Sequence, residues 1–192
     1  MIGSDRFEHV VVQSVDELRT WLTANHASDD SVWLVTYKQM TPDKYVSRSD
    51  VLDELLCFGW IDGLMRKIDD RLVMQLISRR RVHHWALSYK DRAARLIAGQ
   101  RMQPAGFAAI ERSKREGLWE AMAEVDALLI PADLGIALDA LPLARERFDR
   151  FAASYRRNVL RWIMLAKTQL TRARRVALTA ESASRNEKLP QM

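Results

Sequence analysis

One nine-residue stretch, Leu55-Leu56-Cys57-Phe58-Gly59-Trp60-Ile61-Asp62-Gly63, constrains the fold more than any other part of the chain. Val51, Leu52, Leu55 and Leu56 recur at helical spacing, so the chain enters the stretch as the buried end of an amphipathic helix. Gly59 stands where such a helix ends in a left-handed residue. Trp60 and Ile61 then lead into an extended segment, and Gly63 permits a second tight turn. Asp62 is held between bulky residues and that turn. Two roles suit its carboxylate: accepting backbone N–H groups to fix the turn, or standing at the lip of a pocket.

The flanking elements follow from periodicity. Val10-Val11-Val12 reads as a short strand. Ser14-Val15-Asp16-Glu17 has capping-box spacing and opens a helix carrying Leu18, Trp21 and Leu22 to about Asn25. Val32 to Lys38 is apolar on both faces, which predicts a central strand of a small sheet. Ser47 or Ser49 caps the helix that runs into the organising stretch. Met65 to Asp70 predicts a turn or hairpin, and Leu72 to Ile77 a further strand. Trp85, Tyr89, Ala93, Leu96 and Ile97 lie on one helical stripe ended by Gly99. Pro104, Pro131 and Pro142 each open a helix. Phe148, Phe151, Tyr155, Val159, Trp162 and Ile163 continue the helical period, with Ser154 as a cap inside the run. The predicted fold is α+β, a small N-terminal β-sheet with helices followed by a helical C-terminal half. It is read as a single domain over residues 1–185, with a sheet lobe over about 1–85, a helical part over about 86–185, and a frayed tail at 186–192.

With 192 residues, 48% of them hydrophobic, the chain can bury a core as one domain or two small lobes. No apolar run reaches the ~18 residues that a membrane span needs, and Met1 to Glu8 shows no basic leader or apolar signal core. One cysteine, Cys57, excludes an internal disulfide and suits a reducing, cytoplasmic setting. Ten Arg or Lys against two acids between Leu143 and Val176 bias that segment strongly basic. Arg150, Arg157 and Arg161 fall opposite the apolar stripe, so the bias reads as a solvated face and predicts no specific nucleic-acid partner.

The candidate chemistry gathers after the fourth strand. Arg79, Arg80 and Arg81 offer anion-binding forks for a carboxylate or phosphate, and Trp85 beside them offers a face for a planar ligand. His83 and His84 titrate near neutrality, and a carboxylate such as Asp62 can orient one of them. Tyr89 carries a phenolic proton, although an aromatic on a helical stripe is more often core. The candidate catalytic set is His83, His84, Asp62 and Tyr89; the candidate ligand-binding set is Arg79, Arg80, Trp85 and Trp60. Adjacent histidines diverge rather than chelate, and His9 and His26 have no ligand spacing to them, so no metal site and no cofactor is expected. Cys57 follows an apolar helical run and reads as buried and inert; the alternative, a nucleophile at the same corner, requires a depressed pKa.

Several blocks together resemble the YdeI/OmpD-associated (bacteriocin-protection) family. They run from Val32–Lys38 through Leu56–Gly63, Ile68–Asp70, Arg79-Arg80, Trp85 and Gly99–Gly106 to Ser154–Arg157, Trp162-Ile163, Ala166-Lys167 and Thr171–Val176. The resemblance implies a cytoplasmic bacterial protein linked to protection against bacteriocins or antimicrobial peptides, without agreed catalytic residues. Where that family tends to carry prolines around the two arginines, this chain has Ser78 and Arg81. Its two serines are here His83 and Ala86, and its asparagine is Tyr89. The frame of Arg79, Arg80 and Trp85 is kept while the polar positions between are rewritten. Two functions follow: binding of a small acidic ligand or a protein partner, or a small-molecule enzyme using the histidine, aspartate and tyrosine with an arginine clamp.

Overall fold

A computed structural model describes residues 6–81 and 84–190. Its contacts fall into two compact units, Met1–Glu120 and Ala121–Met192. The first holds a four-stranded sheet made of β1 (His9–Val11), β2 (Val32–Tyr37), β3 (Trp60–Lys67) and β4 (Leu72–Arg79), in the order β1-β2-β4-β3. β1 runs parallel to β2, and the other pairs are antiparallel. β2 is central, as its two apolar faces predict. Leu34 packs into the larger core, while Trp33 and Val35 form a smaller cluster with Met74.

Four helices complete this unit. In α1 (Val15–Asn25), Ser14 Oγ accepts from the Glu17 N–H and Glu17 Oε2 from the Gln13 N–H, so two otherwise orphaned donors are matched. α2 (Arg48–Cys57) is capped by Ser47. α3 (Leu87–Ala98) and α4 (Pro104–Arg115) follow, with Pro104 in the first turn. They belong to the sheet unit, although helicity alone grouped them with the C-terminal half. Leu18, Leu55, Leu56, Trp60, Ile77, Trp85, Leu96 and Ile110 share one core.

The organising corner forms as predicted at Gly59 and differently at Gly63. Gly59 adopts φ +71°, and a Cβ there would lie 2.8 Å from the Ala105 carbonyl oxygen. Gly63 makes no turn; it lies within β3, where the register shifts between Asp62 and Met65. A bulge absorbs the conformational freedom that reads as a turn in the sequence. The hairpin turn comes later, and Asp69 holds it: its Oδ1 accepts the N–H groups of Arg71 and Leu72, both at 2.7 Å. Those bonds keep the Asp69 carboxyl below the usual range.

The second unit contains α5 (Ala123–Asp126), α6 (Ala132–Asp139), α7 (Ala144–Arg150), α8 (Ala153–Met164) and α9 (Gln169–Ser184). Leu134, Leu138, Phe148, Val159, Ile163 and Ala180 make its core. Ala152, not Ser154, is the N-cap of α8. Leu189 is buried and its N–H donates to Tyr155 Oη at 2.9 Å, so the chain is held as far as that residue. The basic bias has structural uses as well as solvated ones. Arg150 pairs with Glu146 on the surface, whereas Arg147 and Arg175 donate to the Ser184 and Trp162 carbonyls and Arg157 to that of Asp126. Among the described residues no helix is long and apolar enough to cross a membrane.

Candidate functional site

Asp62 lies on β3 and its partners are side chains, not turn amides. Tyr89 Oη, from the first turns of α3, donates to Oδ1 at 2.6 Å. Gln75 Nε2, from β4, donates to Oδ2 at 3.1 Å, and Arg48 Nη2 stands 3.6 Å from the same oxygen. Burial, followed by the bond to Asp62, pushes the Tyr89 phenol up to about 12. Near neutrality it is therefore a hydrogen-bond donor that keeps its proton.

Arg79 and Arg80 diverge, as neighbours on an extended chain do. Arg80 is 2% exposed, with its guanidinium carbon 4.2 Å from the Trp85 ring centroid and 5.3 Å from that of Tyr89. Its N–H donates to the Gly59 carbonyl, and its own carbonyl accepts from Arg112 Nη2. Nε and Nη1 are buried and have no hydrogen-bond partner among the described residues. Burial lowers its pKa to about 10, against the pull of Tyr89 and Asp62.

The two candidate aromatic platforms are core residues. Trp60 is buried against Trp21, with ring centroids 5.5 Å apart, and donates from Nε1 to the His26 carbonyl. Trp85 is buried against Trp119 and donates from Nε1 to Ser113 Oγ at 2.7 Å. His84 is half-buried. His83 lies outside the described residues.

Arg79 turns instead to a recess of about 320 Å³. Its polar wall is Arg79, Arg112 and His26, and its apolar lining includes Phe58, Ala105 and Ala109. Arg79 Nη1 stands 3.6 Å from Asp29, which is mostly exposed and is shared with Arg81 at 3.7 Å. Arg112 makes no ion pair among the described residues. The His26 ring accepts the company of Phe58 at 6.0 Å, and its Nδ1 is 3.1 Å from the Thr23 carbonyl oxygen. A carbonyl cannot donate, so Nδ1 carries a proton and Nε2 is left as the ring's other polar atom.

A second polar cluster escaped sequence reasoning. Asp53 and Glu54, on α2, are both buried. Asp53 Oδ1 takes Arg92 and Arg95, the latter at 2.9 Å; Glu54 takes Arg19 at 2.9 Å and Arg101 at 2.5 Å. Beside them, burial and then the Glu54 charge push the Cys57 thiol up to about 11, so it is no nucleophile at neutral pH. Only the excess of arginine in α3 and the following loop hints at this clamp. Among the described residues no group of three or more histidines, cysteines or carboxylates is placed to hold a metal.

Residues 10–109, more than half of the chain, match a family model described as a domain of unknown function (DUF8412). The chain belongs to that family. Every described candidate residue lies in the DUF8412 span, as do most of the recess residues, with Arg112 just beyond it. Residues 127–186, the C-terminal part, match the model described as bacteriocin-protection, YdeI or OmpD-associated. That match takes in the blocks from Ser154 to Val176; the earlier blocks, from Val32 to Gly106, fall within the DUF8412 match. No curated protein and no solved structure matches the chain.

Proposed function

We propose that the DUF8412 unit binds a small acidic ligand, held in the recess by Arg79 and Arg112. One observation carries this reading: two guanidinium groups and an imidazole line a recess of about 320 Å³ in which Arg79 meets only a long, exposed ion pair and Arg112 none among the described residues. A guanidinium fork suits a carboxylate or phosphate, and the volume is at the lower edge of small-molecule sites. The single buried cysteine suits a cytoplasmic setting. The description of the C-terminal family supports protection against bacteriocins or antimicrobial peptides as the setting in which the ligand, or a protein partner bearing such an acidic group, is bound.

The acid–base reading keeps one observation in its favour, the 2.6 Å bond from Tyr89 to Asp62. A phenol titrating at about 12 is a poor proton source near neutrality, so the pair is better suited to holding structure or ligand than to turnover. Calorimetric titration of the full chain with small carboxylates tests the binding reading. Arg79→Met should weaken binding by about tenfold or more, the scale of a hydrogen bond to a charged group. Equal affinity in wild type and variant would refute it.

A further inference from the structure

We infer that the ligand of this recess is a monocarboxylic acid with a short apolar body, an inference that rests on the acid-binding reading above. The non-polar part of the lining is carbon throughout. Phe58 and Gly59 come from the α2–β3 corner, and Ala105, Ala108 and Ala109 from one side of α4, where residues three and four apart are neighbours. The space is left open where the three alanine side chains end at Cβ, and Gly59, lacking a Cβ, lets the corner pack closely on α4 beside it. Gly59 also cannot gain one, since its φ is +71° and Ala105 already stands against it. Such walls contribute to affinity only for a ligand that brings apolar surface to cover them.

The polar wall is sparse in a way that favours two acceptor oxygens over three or four. Arg112 has one nitrogen committed to the Arg80 carbonyl, and Arg79 leans partly on Asp29. Among the described residues no serine, threonine or lysine lines the recess. A phosphate ester would leave oxygens unmatched beside carbon, a placement that is costly. A carboxylate presents two oxygens to two guanidinium groups. His26 has its Nδ1 turned to the Thr23 carbonyl, which leaves one ring nitrogen for the recess.

The test is an NMR titration of the full chain with formate, acetate, propionate, butyrate, hexanoate and benzoate, beside inorganic phosphate and methyl phosphate. Affinity should rise about fourfold for each added methylene until the recess is full, the ratio expected for burying one such group. Both phosphates should bind more weakly than the best carboxylate. Ala108→Leu, which fills part of the lining from an exposed position, should weaken the larger acids more than acetate and so cut the rise short. A flat series, or phosphate binding as tight as the best carboxylate, would overturn this inference. If Arg79→Met still weakened acetate in that case, the acid-binding reading would stand without it. No binding by any acid, or binding indifferent to Arg79→Met, would remove the acid-binding reading and this inference with it.

Discussion

Arg80→Met separates the cost of burying a charge from the benefit of packing a side chain. The guanidinium is enclosed between Trp85 and Tyr89, with Nε and Nη1 unpartnered among the described residues. Titrating at about 10, well below the ordinary arginine range, it is disfavoured as a cation in the folded protein by roughly 3 kcal/mol. Against that stand two aromatic contacts, worth about 0.5–2 kcal/mol each when desolvated. Methionine keeps an unbranched apolar stem of similar reach and removes the charge. Asp62 would retain Tyr89 and Gln75 as donors and Arg48 nearby. The balance predicts a variant between equal in stability and about 2 kcal/mol more stable, as when a buried ion gives way to well-packed carbon. Arg80→Ala, which also loses the stem, should be destabilised by about 2–4 kcal/mol through the cavity it leaves. Urea denaturation at pH 7.5, read as a change in midpoint at constant slope, measures both. If Arg80→Met lost more than about 2 kcal/mol, the guanidinium would be making net favourable interactions and the reasoning would fail.

Gly106→Ala should destabilise the protein by about 3 kcal/mol or more, because the new Cβ would lie 2.4 Å from the Cys57 carbonyl oxygen where α4 crosses the end of α2. Gly117→Ala, with φ +70° and open space around it, should cost only about 1 kcal/mol; thermal unfolding of the pair checks the contrast. The Cys57 thiol titrates at about 11 folded against an ordinary 9, so its contribution is complete below pH 9 and lost as pH rises towards 11. Wild-type stability should therefore fall by roughly 2 kcal/mol more than that of Cys57→Ala between pH 8.5 and 11, and parallel pH profiles would contradict the assignment.

Much of the first unit is legible because its signals are local. The apolar run of β2, the Ser14 cap with Glu17, Gly59 at the end of α2 and Pro104 at the start of α4 each declare themselves within a few residues. Gly63 was misleading for the same reason: a glycine after a bulky strand segment reads as a turn, and only the pairing of β3 with β4 shows a bulge. The candidate site was harder. Arg79 and Arg80 look like one clamp in the sequence, yet the extended backbone sends them apart, and Arg79 finds Arg112 and His26, which lie dozens of residues away. Asp53 and Glu54 look like the solvated face of α2. They are buried because arginines from α1, α3 and the following loop reach them, a long-range arrangement that no periodicity within α2 encodes.

The central claim is that the recess beside Gly59 takes a small acid through Arg79 and Arg112, and the side-chain Nε–H signals of the arginines test it most directly. In a nitrogen-15 NMR titration with propionate, the Arg79 and Arg112 signals should move together along one binding curve while those of Arg19, Arg80 and Arg101 stay in place. Shifts confined to other arginines, or separate curves for Arg79 and Arg112, would contradict it.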